Sequence, residues 1–386
     1  MRYGVSYKGS KNKIADRLVE AIPYKGIENF YDLFCGGCAV THKMLLEGRY
    51  NHIHCNDLNG MALQLFVGGI RGEYKNEKRW ISREDFFELK DTDPYVSCCW
   101  SFGNNQRDYL YSKTIEPYKK ACHYAIVFGD FSLLGELCPE VVEVCREALK
   151  DIADIHERRI KFGPAVVKWL KEYGTDEILN SNPLYSSCHV KKDAKSHLES
   201  LQSLQSLERL QSLESLERLQ SLESLQRLER LQSLESLQSL ESLQRLERLE
   251  SAERAERIND MQQADISKLT WSVGSYDEVE IKPGSVVYAD IPYHSSNAYN
   301  PKRNKNTFDY DKFYAWCEVQ TELVLISEYW MPEDRFIPVW ETRHIQSICA
   351  TKTSAVVEKL FVPKHQIKLY YKLLDANPEY TEGSLF

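Results

Sequence analysis

The chain has 386 residues, 42% hydrophobic and 27% charged, with a formal net charge of −8. That composition belongs to a globular protein with room for one large domain or two ordinary ones. No apolar run approaches the roughly 20 residues that cross a bilayer, and the opening MRYGVSYKGSKNK has charges but no apolar stretch, so neither a membrane span nor an export signal is expected and the cytoplasm is the expected compartment.

The eleven cysteines then read as free thiols in a reducing compartment. Cys35 and Cys38 form a C-x-x-C, but a redox or zinc site would want a second ligand pair at suitable spacing. Cys98 and Cys99 are adjacent rather than spaced, so no metal is expected.

In chain order, residues 1–72 alternate short apolar runs with Gly-rich and polar turns, an α/β texture. A strand ending near Leu33 runs into a glycine turn and a helix over Val40–Glu47, and Asn51–Cys55 reads as the next strand. Residues 73–195 are rich in charge and aromatics, with a helical pattern over 140–155. Residues 270–386 return to α/β texture, with strands at Ser285–Ala289, around Leu323–Tyr329 and near Val356–Val362, and a helix from Phe308 to Trp316.

Between these zones, leucine recurs at every third position from Leu198 to Leu249, and the phase continues through Ala252, Ala255 and Ile258. Leu, Gln, Glu and Arg are good helix formers, and Pro and Gly are absent. At about 100° per residue each leucine falls about 60° behind the last, so the stripe winds around the helix and makes no flat core face. Residues 196–258 therefore read as an exposed helical or partly disordered insertion, with weak self-association as the alternative use.

Four motifs carry chemistry. In Phe30-Tyr31-Asp32-Leu33-Phe34-Cys35-Gly36-Gly37-Cys38 a strand enters a glycine turn, which lets backbone approach a ligand, and a helix N-terminus favours its negative groups. Asp57 follows about 20 residues later at a strand end, the spacing at which an acid accepts hydrogen bonds from ribose hydroxyls. Val286-Val287-Tyr288-Ala289-Asp290-Ile291-Pro292-Tyr293 is a buried strand ending in an acid, a proline-stiffened turn and an aromatic. Near the start, Tyr7-Lys8-Gly9-Ser10-Lys11 is only part of a phosphate loop, since G-x-x-x-x-G-K-[ST] is absent, so ATP hydrolysis is disfavoured.

In this order, the four motifs resemble those of the DNA adenine methylase family of bacteria and their phages, over roughly 1–110 and 270–386. The resemblance implies a Rossmann-like methyltransferase domain of 1–72 and 270–386. It also implies a mainly helical target-recognition insertion at 73–195 and double-stranded DNA as partner. It implies S-adenosylmethionine as methyl donor, held by Tyr7, Lys11, Asp32, Phe34, Gly36, Asp57 and Asp290. It implies adenine N6 as acceptor, handled by Asp290, the carbonyl of Ile291, Pro292 and Tyr293, with Tyr293 stacking on the extruded base.

Some positions depart from the family pattern. Ile291 stands where the family has a first proline, Tyr7 where it has Trp, and Cys38 where a small residue is common. Cys99-Trp100-Ser101-Phe102-Gly103-Asn104-Asn105 resembles the stretch opening the recognition region, with DNA contact and packing both open as its role. The acidic balance is unusual for a phosphate-rich partner. Local basic clusters at Arg158, Arg159 and Lys161, at Lys191, Lys192 and Lys195, and at Lys302, Arg303 and Lys305 offer positive faces, or plain solvated surface.

Rival chemistries fit less well. A cytosine-C5 enzyme needs a Pro-Cys nucleophile, and only Cys138-Pro139 in reverse order is present. A zinc deaminase needs His-x-Glu and Pro-Cys-x-x-Cys. A cytosine-N4 enzyme would have Ser at position 290. A catalytically silent DNA-binding relative is the remaining alternative.

Overall fold

The computed structural model describes residues 2–7, 9–75, 77–175, 264–293, 308–349 and 352–375, with isolated positions 178, 254, 258 and 261. The triplet repeat, apart from Arg254 and Ile258, lies outside the described residues. So do the basic clusters at 191–195 and 302–305.

Strand β1 (Asn29–Asp32) is buried at every position, as are β4 (Ser285–Ala289) and β5 (Leu323–Glu328). Continuous burial is the mark of strands covered on both faces in a parallel sheet. Each buried Val or Leu there contributes about 1.5–3 kcal/mol by leaving water. With β2 (His52–Asp57), β3 (Leu269–Val273), β6 (Phe336–Cys349) and β7 (Lys352–Pro363) they form one seven-stranded sheet in the order β3-β2-β1-β4-β5-β7-β6. The first five strands run parallel; β7 is antiparallel to both β5 and β6. This is the mixed, mostly parallel α/β sheet that the resemblance implied.

The chain builds outward from β1 through β2 to β3, then returns to the other side of β1 with β4 and β5. The reversal lies between β1 and β4, whose register sets Asp32 beside Tyr288. Ligands of open α/β sheets bind at the carboxyl ends of strands at such a switch point. Here those ends carry the glycine turn and Asp290.

The sheet belongs to a compact unit of Met1–Glu77, Ile81–Leu110 and Arg254–Phe386. Its helices are α1 (Ala15–Glu20), α2 (Ala39–Glu47), α3 (Gly60–Ile70), α4 (Arg83–Leu89), α5 (Pro94–Cys99), α10 (Tyr310–Val319) and α11 (Ile367–Leu374). Helix α2 stops where Gly48 takes a left-handed conformation (φ 65°) and donates to Met44 O. Helix α4 starts in a Ser82/Asp85 capping box.

A second unit, Lys78–Trp80 with Tyr111–Glu253, contains α6 (Glu116–His123), α7 (Ser132–Leu137), α8 (Val142–Ala148) and α9 (Ile155–Tyr173). Its core includes Ile126, Leu134, Cys145, Phe162, Val166 and Leu170. The helical pattern expected over 140–155 is corrected here. It breaks after α8, where Asp151 takes φ 60° and Asp154 caps α9 by accepting from Glu157 N at 2.8 Å. A left-handed residue followed by a capping carboxylate ends one helix and starts another, whatever the apolar spacing predicts.

Among the described residues no helix is long and apolar enough to cross a membrane.

Candidate active site

The glycine turn is tied to both neighbouring strands. Leu33 N donates to Tyr288 O (3.0 Å) and Cys35 N to Asn56 O (3.0 Å). Gly36 (φ 49°) and Cys38 (φ 57°) then turn the chain into α2. The N-terminal segment lies directly on this turn, with Val5 N donating to Gly37 O at 2.8 Å. A Cβ on Gly37 would stand 2.6 Å from Tyr7 Cβ and 2.7 Å from Val5 O, both closer than real contacts allow. Gly37→Ala should therefore destabilise the protein by about 1–3 kcal/mol, as overpacking does. Thermal unfolding at a lower midpoint, with weakened cofactor binding, is the expected result; an unchanged midpoint would refute the packing argument.

The sequence-predicted cofactor residues fall into two groups. Tyr7 covers the glycines, and Asn59 Nδ2 lies 3.5 Å from its hydroxyl as donor. Asp57 accepts from Gly36 N and Asn59 N, both at 2.7 Å, so its carboxylate braces the turn. Burial still leaves its acidity weaker than usual, despite those two donors. Asp32 ends β1 fully buried; its Oδ2 accepts from Thr41 Oγ1 at 2.6 Å, while Oδ1 has no partner among the described residues. Desolvation holds Asp32 well above the usual carboxylate range. Phe34 stacks on Tyr276 (5.3 Å between centroids, 29°) and meets Phe308 and Phe313 edge-on.

Lys11 belongs to the other group. Its buried ammonium pairs with Asp290 Oδ1 at 2.6 Å and lies 3.6 Å from Glu358 Oε1. It also donates to the Tyr293 hydroxyl. That hydroxyl is 2.9 Å from Glu358 Oε2 and 3.1 Å from Oε1, and Ser327 Oγ donates to Glu358 Oε1 at 2.8 Å. The Tyr293 ring, expected to face a base, stacks on Tyr329 at 4.3 Å and 15°. Ile291 is buried, and the Pro292 carbonyl accepts from Tyr310 OH at 2.8 Å. Burial pushes Asp290 up to about 6; Lys11 opposes this and Glu358 adds to it.

Both groups open onto one cavity of about 1070 Å³, lined by Tyr7, Lys11, Asp32, Phe34, Gly36, Asp57, Asp290 and Tyr293 among others. The acid at the end of β4 and the glycine turn after β1 thus share one space.

Residues 7–141 match the family described as D12 class N6 adenine-specific DNA methyltransferase. Over those residues the chain is similar to that family. A search of curated proteins found no match. The methyltransferase is accordingly an enzyme that acts on the N6 amino group of adenine in DNA.

Several residues of the methyltransferase's cavity escaped sequence reasoning. Tyr276 lines the wall with a buried hydroxyl lacking a partner among the described residues. Glu358 and Tyr329 close the cluster behind Asp290. A glutamate inside the apolar run Val356–Val362 was the one available signal, since a charge at a buried strand position demands a partner. The stretch Cys99–Asn105 packs at its start and reaches the cavity at its end. Trp100 is fully buried and Arg254 donates to Cys98 O, Cys99 O and Ser101 O (3.3, 2.8 and 2.9 Å), while Asn104 and Asn105 line the cavity with Gln106 and Arg107.

The sulfurs of Cys35, Cys38 and Cys55 lie within 4.8 Å of one another. The third comes from β2, which a search for spaced cysteine pairs could not find. Arg158, counted as surface charge, donates to Ala125 O at 2.8 Å.

Proposed function

We propose that the cavity receives S-adenosylmethionine on the glycine-turn side and an adenine extruded from double-stranded DNA on the Asp290 side. The observation that carries this reading is the single space shared by the two groups. Its volume stands at the upper end for small-molecule sites, enough for two ligands.

The residues present suit the cofactor. The unpartnered buried oxygen of Asp32 suits an ammonium, whose charge would offset the desolvation that now disfavours its carboxylate. Phe34, Tyr276 and Phe308 offer aromatic surface for a purine. Asp57 stands at the strand end where ribose hydroxyls are held in related folds. When bound, S-adenosylmethionine supplies a methyl group activated by its sulfonium.

The protein's part is positioning and electrostatics. The adenine amine is a poor nucleophile because its lone pair is delocalised into the ring. Asp290 accepts one N6–H and the Ile291 carbonyl the other, which favours the pyramidal, nucleophilic amine. After transfer the nitrogen must shed a proton, and the Asp290 carboxylate is the base within reach. The second unit is the proposed target-recognition region, with exposed Lys161 on α9 part of its positive face.

Incubation with labelled S-adenosylmethionine and adenine-containing duplex DNA, followed by nucleoside analysis, tests the reading. Label in N6-methyladenine is expected; label in N4-methylcytosine, or none at all, overturns it. A pH profile adds a second check. With Asp290 near 6, kcat/KM should fall as pH drops through about 6. Fold stability should move the opposite way. A carboxyl raised from 3.8 to about 6 on folding contributes stability below pH 3.8 that is lost as pH rises through about 6. A profile flat from pH 8 to 5 would remove Asp290 from the transfer step.

A further inference from the structure

We propose that Glu358 is a positioning residue of the transfer site: from behind, it anchors the Tyr293 hydroxyl and the Lys11 ammonium, and through them fixes the carboxylate of Asp290. The inference rests on Asp290 being the acceptor of the amine proton, and it adds a residue that the sequence motifs do not contain.

Glu358 sits inside β7, between β5 and β6, with 1% of its surface exposed. Burying an ionised carboxylate in a sheet costs several kcal/mol unless partners replace the lost water. Among the described residues, of the three side chains that meet it only Ser327 on β5 comes from the sheet itself. The others are Tyr293, 65 residues away and directly after the turn that follows β4, and Lys11, from the N-terminal segment. Three separate parts of the chain thus meet on one buried acid. An acid serving the sheet alone would find its partners in neighbouring strands.

The consequences follow from geometry. Lys11 lies between two carboxylates, 2.6 Å from Asp290 and 3.6 Å from Glu358. Its Nζ also stands 4.6 Å from the Tyr293 ring centre. Held at its hydroxyl, Tyr293 keeps one orientation against Tyr329. Without Glu358, Lys11 loses its second anion and the Tyr293 hydroxyl its carboxylate acceptor. The Asp290 carboxylate would then be free to shift, and a displacement of about 1 Å can cost 100-fold in rate.

Glu358→Gln tests this, because it keeps an acceptor oxygen for Tyr293 and Ser327 while removing the charge. The groups bearing on Asp290 are Lys11 from the N-terminal turn, Glu328 from β5, Glu358 from β7, Asp32 from β1, and the phenols of Tyr288, Tyr293 and Tyr329. Only one of these changes. The expected result is a fall in kcat of about 10- to 100-fold, an unchanged KM for S-adenosylmethionine, and an acid limb displaced to lower pH, since one negative neighbour of Asp290 is gone. Glu358→Asp should recover part of the loss and return the limb toward its original position.

A kcat within about twofold of the parent and an unmoved limb would overturn the proposal. If Glu358→Gln fails to fold, Tyr293→Phe decides, because it keeps the ring and removes the link. Lost kcat with unchanged DNA affinity supports the proposal; full kcat overturns it. The two readings fail separately. Full activity in Asp290→Ala removes Asp290 as acceptor, whereas an inactive Asp290→Ala beside an unaltered Glu358→Gln removes only the positioning role of Glu358.

Discussion

Asp290→Ala is expected to reduce methyl transfer by about 10²–10³-fold or more, the range lost when a group aimed at the reacting atom is removed. The side chain stands at the end of a strand buried throughout, two positions past Tyr288, which pairs with Asp32 at the mouth of the glycine turn. In the proposed mechanism, removing it deletes the acceptor for one amine proton and the base for the proton released on methylation. The braces of the glycine turn remain: Asp57 on Gly36 N, Cys35 N on Asn56 O, and Tyr7 over the glycines. Cofactor affinity, measured by calorimetry, should therefore stay near the parent value while single-turnover transfer collapses. Asp290→Asn keeps an acceptor but not a base and should fall between the two. Transfer at the parent rate in Asp290→Ala would end the assignment.

The second large effect is expected for Lys11→Met. Burial alone would lower the Lys11 ammonium, but Asp290 and Glu358 more than offset it and hold it above its ordinary 10.5. Replacing it with an apolar chain of similar length leaves two carboxylates facing each other with no cation between them. Loss of one partner from a buried ion pair costs about 3–5 kcal/mol, visible as a lower denaturant midpoint. Asp290 would titrate at higher pH still, so any residual activity should show its acid limb above the parent's value of about 6. Adding Glu358→Gln removes one of the stranded charges and should restore part of the stability. A double variant no more stable than Lys11→Met would mean that the two carboxylates do not interact as described.

Much of this protein was legible in its sequence because the signals are local. Phe30–Asp32 and Val286–Ala289 are short apolar runs bounded by turn residues, and they form adjacent central strands. The Gly36–Gly37 turn leads into α2 within a residue of the expected start, and the helix before Leu323 runs over Tyr310–Val319. Other signals misled for equally local reasons. The apolar spacing over 140–155 could not register a left-handed Asp151. A search for paired cysteines could not see that Cys55, on a neighbouring strand, comes within 4.8 Å of Cys35 and Cys38.

The sequence by itself determined the family-like motifs, the strands that carry them and the identity of the acid at position 290, since each depends on residues within a few positions of one another. Tertiary structure alone decided that Lys11, 279 residues from Asp290, pairs with it, and that Glu358 stands behind both. Contacts of that kind arise from sheet order. A buried charge takes whichever partner the neighbouring strands bring within reach, because the interior offers it no water instead.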